Sequence, residues 1–122
     1  TIVRAAHVYD ESVLPTLSCA VHRVRAGARS APVRRTGNAV YVVFRGSGSS
    51  VIDGVRFDWQ PGDMFVVPSW SAVEHAGGAA DADLFVLTDA PVLRALGLHR
   101  EQVLPEAQPV TGHFSPTQRR TR

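Results

Sequence analysis

Four side chains in the middle of this chain have the types that could do chemistry: Arg35, Tyr41, Trp70 and His75. The first pair lies in GARSAPVRRTGNAVYVVFRG, residues 27–46, and the second in GVRFDWQPGDMFVVPSWSAVEH, residues 54–75. A guanidinium carries a permanent charge, and a phenol and an imidazole can both donate and accept hydrogen bonds. Brought together, Arg35, Tyr41 and His75 would suit a small anionic aromatic molecule. A metal site would need several ligands at regular spacing. His7, His22, His99 and His113 show no such spacing and read as surface or structural residues. No Gly-x-Ser-x-Gly elbow and no Cys–His pairing points to nucleophilic catalysis. The glycines of GSGSS read as a strand turn, because no helix follows them to form a phosphate site.

The elements that must position these residues are strands. Their signals run from about Leu17 to Leu87. LSCAVHRVRAG reads as a long strand ending at glycine. AVYVVFRG is β-branched and aromatic and reads as a buried strand. SVIDGVRFDW is a hairpin, with Asp53-Gly54 as its type I′ turn. QPGD is a further turn, MFVVP a strand, and SAVEHA and DLFVLTD two more, separated by the loop GGAADAD. Turn signals at such short, regular spacing indicate an all-β sandwich or barrel. The pattern changes at Asp89, which can cap a helix. Pro91 suits a first turn, and VLRALG predicts a short helix over about Pro91–Leu96. Residues 1–101 then form one domain. Residues 102–122, rich in Pro, Gln, Thr and Arg, read as an extended or partly ordered tail.

A chain of 122 residues accommodates one domain with a real core. No apolar run is long enough to span a membrane. TIVRAAHVYD lacks the cationic start and apolar centre of a signal peptide. The chain opens on Thr rather than Met, as a domain excised from a longer protein or trimmed to its ordered part would. The single Cys19 permits no internal disulfide, suits a reducing cytoplasmic setting, and reads as a buried, inert thiol. All thirteen positive residues are arginine, yet the net charge is only +2, so no nucleic-acid partner is expected. Arg119, Arg120 and Arg122 read as a solvated terminus.

The two central stretches resemble the paired motifs of cupins. The first such motif runs Gly, five residues, His-x-His, three or four residues, Glu, six residues, Gly. Counted from Gly27, its histidine slots fall on Val33 and Arg35, its glutamate slot on Ala39 and its last glycine on Gly46. The histidine of the second motif, five residues after Pro68, falls on Val73. The resemblance implies an antiparallel jelly-roll β-barrel with one short C-terminal helix. Side chains alternate along strands, so Val33, Arg35, Ala39, Tyr41, Val43, Val73 and His75 are expected to point inward. Valine cannot bind a metal, and an arginine beside one repels it. At about 4 Å and an effective dielectric of 20, unit charges repel by about 4 kcal/mol, and a divalent ion doubles that.

Three segments, TGNAVYVVFRGSG, SVIDGVRFDWQPGDMFVVPSW and DAPVLRALGLHRE, carry a narrower resemblance. They are similar to the C-terminal cupin of gentisate 1,2-dioxygenases and of the related salicylate and 1-hydroxy-2-naphthoate dioxygenases, over roughly Gly27–Glu101. The resemblance implies a bicupin whose iron sits on three histidines of the other, N-terminal cupin, and which opens aromatic rings with dioxygen. Ala39 fits this family, whose sites use no glutamate. Val33 and Arg35 stand where its catalytic cupin has iron histidines, and Tyr41 stands where it has a substrate-binding arginine. Trp70 is retained, Ala72 replaces a tryptophan, Val73 replaces an iron histidine and His75 keeps its place.

These residues imply no catalytic group, no metal ligand set and no cofactor in this chain. The leading expectation is a metal-free cupin domain of a ring-cleaving enzyme, serving folding and assembly. The alternative is a stand-alone cupin that binds an aromatic carboxylate between Arg35, Tyr41, Trp70 and His75. A scaffold role alone is a third. Each site residue also has a structural reading: His75 as a hydrogen-bonded interior or rim histidine, Arg35 as the partner of a carboxylate or a residue of the barrel mouth, Trp70 as barrel packing. Tyr41 and Val43 alternate with Val40, Val42 and Phe44, so one strand is apolar on both faces. A homodimer or a bicupin partner domain is expected to cover the outer one.

Overall fold

The structure is a computed structural model that describes the backbone of residues 6–12 and all of residues 16–114. In chain order its elements are β1 (Ala6–Ser12), β2 (Ser18–Val24), β3 (Val33–Arg35), β4 (Ala39–Arg45), β5 (Gly48–Ile52), β6 (Val55–Trp59), β7 (Met64–Val67), β8 (Val73–Gly77), β9 (Ala82–Thr88), α1 (Ala90–Ala95), β10 (Glu101–Val103) and β11 (Gly112–Phe114). They form two facing sheets. One has the order β1-β2-β9-β4-β7, the other β10-β3-β8-β5-β6-β11. This is the expected cupin jelly roll with one short helix.

Alternation along the strands builds the core. Ala20, Val86, Tyr41 and Phe65 form one cross-strand row of the five-stranded sheet. With Val24, Val43 and Leu84 they turn inward and meet Ile52, Trp59 and Val73 of the opposite sheet. Burying a side chain such as Leu84 contributes about 1.5–3 kcal/mol. The hairpin turn is as read: Asp53 and Gly54 both have positive φ, 48° and 85°. The Asp53 carboxylate also accepts from the Ala72 N–H at 2.9 Å, which ties this turn to the start of β8.

Several local expectations change. Only the front of GSGSS is a turn, because Gly48, Ser49 and Ser50 already belong to β5. Gly48 is needed there: a Cβ would come within 2.7 Å of the Trp59 ring. Asp89 occupies the N-cap of α1 but makes no cap with its side chain. Its carboxylate accepts from the Asn38 N–H instead, and Thr88 Oγ1 accepts from Ala90 N. The proposed boundary after Glu101 falls inside β10, which pairs with β3. The segment to residue 114 is extended and joins the six-stranded sheet, with β11 parallel to β6. That pairing is the exception to antiparallel order among the described residues. Strands of three residues are too short to show periodicity in a sequence. Residues 115–122, including the arginines of the tail, lie outside the described part. Cys19 is half-buried rather than buried.

Candidate functional site

Between the sheets, at the end nearest α1, lies a cavity of about 260 Å³ that opens to solvent. Its walls come from β2, β3, β4, β7, β8 and β9, which contribute Ala20, Val33, Ala39, Val67, Val73 and Val86. Val33, Ala39 and Val73 therefore face inward as alternation requires. Polar groups stand at two levels. His22 and Tyr41 lie on the walls; Arg35, Arg94, His99 and Glu101 are contributed by β3, α1 and the chain that follows.

Tyr41 is 3% exposed. Its ring stacks on Phe65, with centroids 4.9 Å apart and planes 3° from parallel, and meets His22 edge-on at 5.9 Å. Its hydroxyl makes no hydrogen bond to a described residue and is not sealed off, so it is available to the cavity. Burial raises the phenol's pKa, against a smaller opposing effect of the Arg35 charge.

His75 is behind this wall rather than on it. Its ring lies 5.2 Å from Tyr41 and 6.4 Å from Phe65. Ser50 Oγ is 2.7 Å from His75 Nδ1 and accepts from Trp59 Nε1 at 2.9 Å. Burial lowers the imidazole pKa to about 3, helped by the charges of His22 and Arg35. The ring is neutral at pH 7. Ser50 Oγ bridges the imidazole and the Trp59 indole. His75 is thus a hydrogen-bonded interior histidine.

Arg35 lines the cavity with its guanidinium turned to Glu101, Nε to Oε1 at 3.2 Å, both side chains 45% exposed. Trp70 does not join the group. It is 42% exposed and sits in a turn with φ 66°, donating its backbone N–H to Arg35 O at 2.7 Å. It neither packs the barrel nor lines the cavity. Of the four residues singled out, the fold brings Arg35 and Tyr41 to one cavity, places His75 behind Tyr41 and leaves Trp70 outside. Arg94 was not weighed as a site residue, and His22 and His99, read as surface or structural, line the cavity instead. They come from β2, α1 and the chain after it, outside both motifs, and only the fold assembles them.

Two mouth groups lack partners. Arg94 makes no hydrogen bond or ion pair with its guanidinium among the described residues. His99 Nδ1 is shielded from solvent without a hydrogen-bond partner. Such an unmet buried group costs about 1–3 kcal/mol.

The iron of cupin dioxygenases does not fit this barrel. Val33 and Val73 line the wall where ligands would be required, and His75 lies behind Tyr41 rather than on the cavity wall. Among the described residues, no group of three or more His, Cys, Asp or Glu side chains could hold a metal ion. The expected repulsion from Arg35 carries less of the argument than the missing ligands, because its charge is paired with Glu101.

No family profile matches the chain. Individual relatives do. The chain is 44% identical over 108 residues to a 5-aminosalicylate 1,2-dioxygenase from a Comamonas species, covering 86% of this chain and 29% of that protein. It is 42% identical over 87 residues to a gentisate 1,2-dioxygenase from a Streptomyces species, covering 71% and 24%. Its fold matches the salicylate 1,2-dioxygenase of Pseudoaminobacter salicylatoxidans, solved with gentisate, at a TM-score of 0.80 and 34% identity, covering 87% and 31%. The chain therefore spans about a quarter to a third of the length of these relatives. Its extent is that of one cupin domain, consistent with their C-terminal one. With this sequence similarity and this fold, the chain belongs to the gentisate and salicylate 1,2-dioxygenase family of cupins.

Proposed function

We propose that this chain is a metal-free cupin domain of a gentisate 1,2-dioxygenase-like ring-cleaving enzyme, and that its task is folding and assembly against a second cupin barrel. The observation that carries the assembly role is the outer face of the five-stranded sheet. There Val21, Phe85, Val42 and Met64 form one cross-strand row, and Cys19, Leu87, Val40 and Val66 the next. Phe44 stands beside them at 53% exposure, Met64 is 66% exposed and Val66 53%. A contiguous apolar patch across four strands favours a protein partner. The relatives are about three to four times as long as the matched segment, which leaves room for another barrel in each.

The test is association. The chain is expected to self-associate in sedimentation velocity, or to bind a separately expressed upstream cupin of its parent gene, and Met64→Asp is expected to weaken that association. A monomer at high concentration that binds no such domain would refute the assembly role. Elemental analysis after iron-supplemented expression tests the metal-free part, and about one iron per chain would refute it.

A second reading is supported by the cavity. A hollow, largely apolar barrel with unmet polar groups at its mouth has the form of a small-molecule site. In this reading the domain binds a ligand without transforming it.

A further inference from the structure

We propose that the cavity binds an apolar monocarboxylate of single-ring size, held at the mouth by Arg94 rather than by Arg35. The proposal rests on the second reading above and adds the size of the ligand and the recognition residue.

Size comes first. An apolar cavity of about 150 Å³ suffices for benzene. The 260 Å³ here therefore accepts one six-membered ring with a substituent, and little more. The walls come next. Val33, Val67, Val73 and Val86 give a ring apolar contact, while Ser18, His22, Thr36, Ser71 and Thr88 also line the cavity. Tyr41 Oη is one polar atom that can meet a ring substituent.

Charge decides the rest. The mouth holds two guanidinium groups and one carboxylate. Arg35 and Glu101 satisfy each other at 3.2 Å. Arg94 has no partner among the described residues, so one positive charge at the mouth is uncompensated. One cation matches a monoanion, and a guanidinium matches a carboxylate through two parallel N–H donors. His99 lines the same mouth. Arg94 is also well placed mechanically. It lies in the last turn of α1, and the Leu98 N–H returns to Leu93 O at 2.7 Å, which fixes the end of the helix.

The experiment is calorimetric titration of the chain with benzoate and with benzyl alcohol, its neutral counterpart. Benzoate is expected to bind at least tenfold tighter. Arg94→Gln should weaken benzoate at least tenfold and leave benzyl alcohol unchanged, while Arg35→Gln should change benzoate less than threefold. Val86→Phe, which fills the cavity, should abolish both. Arg94 and Arg35 are exposed, and unchanged far-UV circular dichroism verifies that these variants fold. Equal benzoate binding by wild type and Arg94→Gln overturns the proposal while leaving the cavity a ligand site. If neither compound binds at millimolar concentration, the second reading fails and the proposal with it.

Discussion

The outer faces of the two sheets are built from the same alternation and end in opposite states. Across the five-stranded sheet one outer row runs Val21, Phe85, Val42, Met64. Across the six-stranded sheet the comparable row runs Glu74, Val51, Arg56, His113. The second face is also strapped by its own chain. Gln108 donates its N–H to Glu74 at 2.8 Å and its side-chain amide to Val51 O at 3.0 Å. Arg29 pairs with Glu74 at 3.3 Å, and His113 Nε2 lies 2.8 Å from Asp58. No described segment crosses the apolar face in that way. A sheet that is polar outside or covered by its own chain has no need of a partner. A sheet that is apolar and open has such a need, and this difference is why the assembly role is assigned to one side of the molecule.

Adjacent residues of β9 sharpen the comparison most. Leu84 is 1% exposed and faces the core, whereas Phe85 is 39% exposed and faces out. Leu84→Ala is expected to cost about 2–5 kcal/mol in chemical denaturation. Phe85→Ala should leave monomer stability within about 1 kcal/mol and weaken association instead. Equal losses of stability would break the distinction between the faces.

The inner side also carries a pH signature. The folded pKa of His75 is lowered to about 3 by burial, while an unfolded histidine titrates near 6.5. Below about pH 6.5 the unfolded chain takes up a proton that the folded chain refuses. Stability therefore falls as pH drops from about 6.5 toward 3, by as much as a few kcal/mol. Thermal melts at pH 7 and pH 4 are expected to separate less for His75→Gln than for the wild type. An unchanged separation would place the imidazole in water rather than behind Tyr41.

On the apolar face, Met64→Asp should raise the dissociation constant of the assembly at least about 30-fold, corresponding to roughly 2 kcal/mol. The smallest effect belongs to the polar face. Arg56 and Asp58 pair at 3.1 Å with both side chains about half exposed. Arg56→Ala is expected to change stability by no more than about 1 kcal/mol and to leave association untouched. If it alters the sedimentation profile, the polar face contributes to the interface.

Much of the architecture was legible because its signals are local. Asp53-Gly54 requires positive φ at consecutive positions, and the hairpin follows. The run from Ala39 to Phe44 requires an inner and an outer apolar face whatever it packs against. Even so, Asp89 was assigned a cap that its side chain does not make, since Asn38 N competes for it from 51 residues away. Trp70 was read as packing because tryptophan is apolar, but the turn that starts β8 holds it outside. For the cavity, the motif frame led to Arg35 and Tyr41, yet Arg94 and His99 lie outside both motifs.

By itself the sequence determined the alternation, the turns, the jelly roll and the absence of histidines from Val33, Arg35 and Val73, because each depends on residue type and near neighbours. The tertiary structure alone decided which charges cancel. Arg35 and Arg94 are indistinguishable as letters. One meets Glu101 through the pairing of β3 with β10, and the other, at the end of α1, has no partner among the described residues. Electrostatic partnership depends on separation in space, and strands distant in sequence set that separation only when the barrel closes.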